Sequence, residues 1–79
     1  MNRRLRTKKM DALKPLTFKA GDTVRYVPHH AHGDVSHKDC ENGIVSSVNN
    51  SFVFVRYYYP QGGLHLHAQA TDPDDLVKT

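Results

Sequence analysis

The sequence predicts an all-β fold, a small barrel of five short strands with a long loop between the first two. Three observations predict it. No segment sustains a helical period; short runs rich in Val, Ile, Tyr and Phe recur between turn residues; and the 79 residues leave room for one small core.

The elements follow in order. Residues 1–16 have little period and end near Pro15, so they read as a basic, flexible arm and linker ahead of a barrel over 17–79. Gly21–Asp22 turns the chain into a first strand, Thr23–Val27, which Pro28 ends because it lacks the N–H of a central ladder. A polar run follows, and Asn42–Gly43 then reads as a turn opening a second strand at Ile44–Val48. Asn49–Asn50 supplies residues that tolerate positive φ for a tight hairpin. Phe52–Tyr59, almost wholly aromatic and β-branched, is the strongest strand signal. Pro60–Gly63 turns the chain into Leu64–Ala70, where apolar residues alternate with His65, His67 and Gln69. Asp72–Pro73–Asp74–Asp75 carries a capping Asp, Pro at the first position and acids in the first turn, so it predicts a short helical turn. Leu76–Lys78 closes as a fifth strand.

Charge is distributed unevenly. The formal net charge is +3, yet Arg3, Arg4, Arg6, Lys8 and Lys9 crowd the first nine residues with no acid among them. From Met10 onward six basic side chains face eight acidic ones, a net −2. The barrel is therefore faintly acidic and should not be drawn to phosphate. The arm is the one candidate grip for nucleic acid, through backbone phosphates.

One cysteine excludes an internal disulfide framework and suits a reducing compartment. No run approaches the roughly 18 apolar residues of a membrane span. The basic start lacks the apolar stretch of a signal peptide. These features predict a soluble cytoplasmic protein without a membrane partner.

The polar run His29–Glu41 holds four of the six histidines, the lone Cys40 and three carboxylates. Such a run cannot pack as a core, so it predicts a surface loop, where function usually sits. Two chemistries compete there. His29, His30, His32, Asp34 and His37 offer a recognition surface. His32, His37 and Cys40, with His29 or His30 as a fourth donor, offer imidazole and thiolate ligands suited to zinc. The H-x4-H-x2-C spacing matches no standard finger, and loop hydrogen bonds explain the same residues. No cofactor is therefore expected, with zinc the alternative. On the third strand, Val53, Val55 and Tyr57 are expected to face the core. Phe54, Arg56 and Tyr58 then fall on the opposite side, where aromatic residues and Arg are enriched among interface anchors.

The pattern Gly21–Val27, Gly43–Val48, Val53–Tyr57 and Asp75–Val77 resembles an SH3-like barrel of the KOW/Tudor kind and spans most of the chain. The longer string from Val27–Pro28–His29 through Asn42–Gly43 is similar to small uncharacterised bacteriophage and prophage proteins. These resemblances imply a barrel and a mobile-element origin. The long acidic, His-rich first loop departs from the Gly-rich basic segment of KOW modules.

Catalysis has little sequence support: no nucleophile elbow, phosphate loop or HExxH occurs, and His37 three residues before Cys40 fixes no geometry. The resulting expectation is a non-enzymatic phage or mobile-element module that contacts a host protein, with inhibition of that protein one form the contact takes. Its contacts would come from His29, His30, His32, Asp34, His37, Phe54, Arg56 and Tyr58. A nucleic-acid-binding module working through the arm, or a zinc-stabilised structural domain, are the alternatives. An aromatic edge makes either a monomer or a homodimer compatible with the pattern.

Overall fold

The computed structural model describes residues 17–79; the basic arm expected over 1–16 lies outside the described residues. Five antiparallel strands form one sheet: β1 (Thr23–Tyr26), β2 (Glu41–Val48), β3 (Val53–Tyr57), β4 (Gln69–Thr71) and β5 (Leu76–Lys78). They lie in the order β4-β3-β2-β1-β5, so the chain meanders through four strands and β5 returns beside β1. The outer strands β4 and β5 are not paired with each other among the described residues. No described helix is long and apolar enough to cross a membrane.

Strand alternation builds the core as expected. Val53, Val55 and Tyr57 are buried, while Phe54 and Arg56 between them remain partly exposed. Val24, Val45 and Leu76 from the neighbouring strands and Phe18 from the lead-in complete the cluster. Burying each valine side chain contributes about 1.5–3 kcal/mol. Tyr57 carries its hydroxyl into this apolar interior, where it meets Thr71 Oγ1 at 2.8 Å. Burial pushes the Tyr57 phenol up to about 12, so it stays neutral and can donate or accept.

β1 and β3 end a residue or two inside the expected Thr23–Val27 and Phe52–Tyr59, and three further features differ from the sequence reading, each for a local reason. Asn42–Gly43 is not a turn: both residues lie inside β2, which starts at Glu41. Gly43 is needed for close packing, since a Cβ there would stand 2.5 Å from Val55 Cγ1 and 2.8 Å from the Arg56 carbonyl oxygen. The β2–β3 hairpin does not place its asparagines at positive φ. Asn49 instead turns the chain with its side-chain oxygen, which accepts from the N–H groups of Ser51 (2.8 Å) and Phe52 (2.7 Å).

The third difference is the predicted strand Leu64–Ala70, which pairs only at its ends. Tyr58 bridges to Leu64, and Val55 pairs with Gln69. Between those pairs β3 advances three residues and the returning chain five, so two extra residues bulge outward. Leu66 is therefore 76% exposed, although simple alternation assigns it to the core face. Arg56 Nε donates to the His65 carbonyl at 2.8 Å, satisfying a backbone group that the interrupted ladder leaves over.

The Asp72–Asp75 segment forms the expected turn. Asp72 caps a 3-10 helix at Pro73–Asp75 by accepting from Asp74 N–H at 2.9 Å. Val27 N–H donates to the Asp75 carbonyl at 2.8 Å, which ties this turn to the end of β1 and the start of the histidine loop.

Candidate functional site

The run between β1 and β2 is an ordered excursion of consecutive tight turns. The N–H groups of Ala31, His32, Asp34, His37 and Cys40 each donate to the carbonyl three residues earlier, at 2.8–3.1 Å. The first turn is a 3-10 helix at His29–Ala31. His32 leaves it in the left-handed region at φ 51°, and Gly33 follows at φ 83°. Ala31 is buried beneath this segment and anchors it.

Arg25 on β1 holds the far side of the excursion. Its Nε donates to the Val35 carbonyl and its Nη1 to Asn42 Oδ1, both at 2.7 Å. The guanidinium is planar and carries several donors, so one side chain spans loop and strand together. Asp34 accepts from Ser36 N–H at 2.9 Å, and Cys40 Sγ lies 3.4 Å from the Asp34 carbonyl. Asp34 and Cys40 are thus engaged in shaping the loop.

The histidines divide into two groups. His30 and His37 pack edge to face with ring centroids 5.2 Å apart. His30 Nε2 meets Asp39 Oδ2 at 2.7 Å, and Asp39 N–H donates to His37 Nδ1 at 3.0 Å. The hydrogen bond from His30 holds the Asp39 carboxyl below its ordinary range. His29 and His32 lie on the other side, lining a cleft of about 320 Å³ with Val27, Val35, Asp74, Asp75 and Val77. The expected zinc set of His32, His37 and Cys40 is therefore not brought together; His30, His37 and Asp39 converge instead. His65 and His67 do not join either group. His65 stacks on Tyr59 at 3.9 Å between centroids, and His67 is exposed in the bulge.

A concavity of about 620 Å³ lies between this excursion and the hairpin after β3. Tyr26, Pro28, Tyr58, Tyr59 and Pro60 provide its apolar surface. Arg25, His30, Lys38, Asp39 and Glu41 provide charged and polar groups of both signs. Tyr58 and Tyr59 are 40% and 45% exposed, so their rings are available to an occupant. Both are positioned by backbone pairing: Tyr58 N–H donates to the Asn42 carbonyl at 2.9 Å, and Tyr59 N–H to the Gly63 carbonyl at 2.8 Å. The turn that returns the hairpin places Gly62 and Gly63 at φ 105° and 90°, which glycine adopts without a Cβ penalty.

Of the eight contact residues expected from the sequence, His30 and Tyr58 line this cleft. His29 and His32 face the smaller one, Asp34 and His37 lie within the loop, and Phe54 and Arg56 sit partly buried on the outer side of β3. Tyr59 belongs to the exposed aromatic patch expected with Phe52, Phe54 and Tyr58, whereas Tyr26, Pro28 and Pro60 were not expected at a site. The one available signal was the Tyr58–Tyr59–Pro60 run directly before Gly62–Gly63, which marks an aromatic hairpin tip. The nucleic-acid candidates Arg3, Arg4, Arg6, Lys8 and Lys9 lie outside the described residues. No protein family, curated protein or solved structure matches this chain.

Proposed function

We propose that this protein is a non-enzymatic binding module with an SH3-like architecture, and that the cleft between the histidine loop and the tyrosine hairpin receives a segment of a protein partner. The observation that carries this reading is the cleft itself: tyrosines and prolines flanked by charges of both signs. Tyr supplies large contact area at low conformational cost and a polar tip, as interface anchors do. The strand order, the long first loop and the 3-10 turn before β5 support the architectural part. Resemblance to small phage proteins makes a host protein the natural partner class.

Charge favours protein over nucleic acid. Over 17–79 the chain carries five Lys and Arg against seven Asp and Glu, a net −2. A phosphate-binding surface needs the opposite sign. Affinity capture from a host lysate with and without nuclease tests the reading, followed by titration of the captured partner. Tyr58→Ala is expected to weaken binding by roughly 1–3 kcal/mol, while deletion of residues 1–9 leaves it nearly unchanged. Capture abolished by nuclease, or by that deletion, would overturn the proposal in favour of the nucleic-acid reading.

A further inference from the structure

We infer that His30, His37 and Asp39 form a binding site for a divalent first-row transition ion of the zinc class, built into the loop wall of the cleft. One ligand atom from each residue lies within 4.8 Å of the other two. Two imidazole nitrogens with one carboxylate oxygen suit a borderline ion such as Zn²⁺ and not the all-oxygen preference of Mg²⁺ or Ca²⁺.

The distances are close to what such an ion requires. Tetrahedral ligands about 2.0–2.1 Å from a zinc ion stand about 3.3 Å apart. Here His30 Nε2 and Asp39 Oδ2 are 2.7 Å apart, and His37 Nδ1 and the same oxygen 3.9 Å. The two values lie on either side of the requirement and the His30–His37 pair lies within 4.8 Å, so side-chain shifts that release the His37 hydrogen bond close the site. The side chains of His30 and Asp39 are 62% and 48% exposed, which leaves them free to make those shifts.

Protonation also fits. His37 Nδ1 accepts the Asp39 amide N–H at 3.0 Å, so this nitrogen carries no proton; its single lone pair is engaged there, and the ion must take the place of that hydrogen bond. On His30, the ion replaces the proton that Nε2 shares with Asp39. The backbone is already fixed around the ligands: His30 lies on the 3-10 helix, and the N–H groups of His37 and Cys40 are bonded within the successive turns. Three protein ligands leave at least one coordination position open. Because His30 and Asp39 both line the large cleft, that position is accessible from it.

The inference stands on a different observation from the binding proposal and is tested without any partner. The untagged full chain, stripped with chelator, is titrated calorimetrically with Zn²⁺ and separately with Mg²⁺. Expected are one Zn²⁺ per chain and no binding of Mg²⁺. His30→Ala, His37→Ala and Asp39→Asn should each weaken Zn²⁺ at least tenfold, whereas His32→Ala and Cys40→Ser leave it unchanged. No Zn²⁺ binding, undiminished binding by His30→Ala, or loss on Cys40→Ser would each overturn the site. Co²⁺ loaded into the unmodified chain gives a second measurement that is independent of how the variants fold. Ligand-field bands without thiolate charge transfer support the assignment, and a thiolate band refutes it.

Discussion

The sheet and the histidine excursion are ordered by different physics within one small chain. In the sheet, valines at alternate positions surrender apolar surface to a shared interior: Val24, Val45, Val53 and Val55 are essentially inaccessible to water. The excursion buries only Ala31 among its residues from His29 to Cys40, and is held by backbone turns and the Arg25 clamp. Apolar burial resists change of volume. Turn-and-clamp order resists loss of particular donors. The comparison explains how a polar, titratable segment stays in one shape without a core of its own.

The largest test falls on the sheet. Gly43→Ala forces a Cβ against Val55 and the Arg56 backbone, so a loss of about 3 kcal/mol is expected by chemical denaturation. Val55→Ala should cost roughly 2 kcal/mol through lost burial and the cavity left behind. A neutral result for Gly43→Ala would mean that the β2–β3 contact is looser than described.

Arg25→Ala separates the two regions. It removes two hydrogen bonds at the protein surface and should cost only about 1 kcal/mol of global stability. Amide exchange at His37 and Cys40 should nevertheless accelerate well beyond exchange at Val53 and Val55. Uniform acceleration across the chain would show that loop and sheet open as one unit.

The smallest expected effect is a pH dependence at Asp22, where the chain enters β1. The backbone N–H of Lys19 donates to this carboxylate at 3.0 Å and Lys78 lies 3.5 Å away, and both hold its carboxyl below the ordinary range. A depressed folded-state value means the stabilisation is fully present above the unfolded-state value and is lost as pH falls through the folded one. Asp22→Asn should therefore be less stable than the parent at neutral pH, with the gap closing in acid. A gap that persists unchanged in acid would assign the effect to shape and not to charge.

Much of the fold was legible because it rests on local alternation and turn chemistry. Val53, Val55 and Tyr57 declare their buried side by period alone, and Asp72–Pro73 declares its cap. The segment Leu64–Ala70 was misread for the same reason. Its alternation is genuine, but two residues bulge out of register against β3, and pairing register is a relation between strands that one strand's pattern does not contain. The candidate site was less legible still. Tyr26 on β1, Glu41 on β2 and Tyr58 just past β3 meet only because β1, β2 and β3 pair as they do.

By itself, then, the sequence determined an all-β chain with a valine-rich interior, a capped turn before the final strand and a polar excursion between the first two. Each of these follows from forces between near neighbours. Only the tertiary structure decided which histidines meet, that Cys40 stays apart from them, and that loop and tyrosine hairpin enclose a common cleft. The histidine contacts depend on how the consecutive turns and the Arg25 clamp fold the excursion, the shared cleft depends on strand pairing, and no spacing along the chain encodes either.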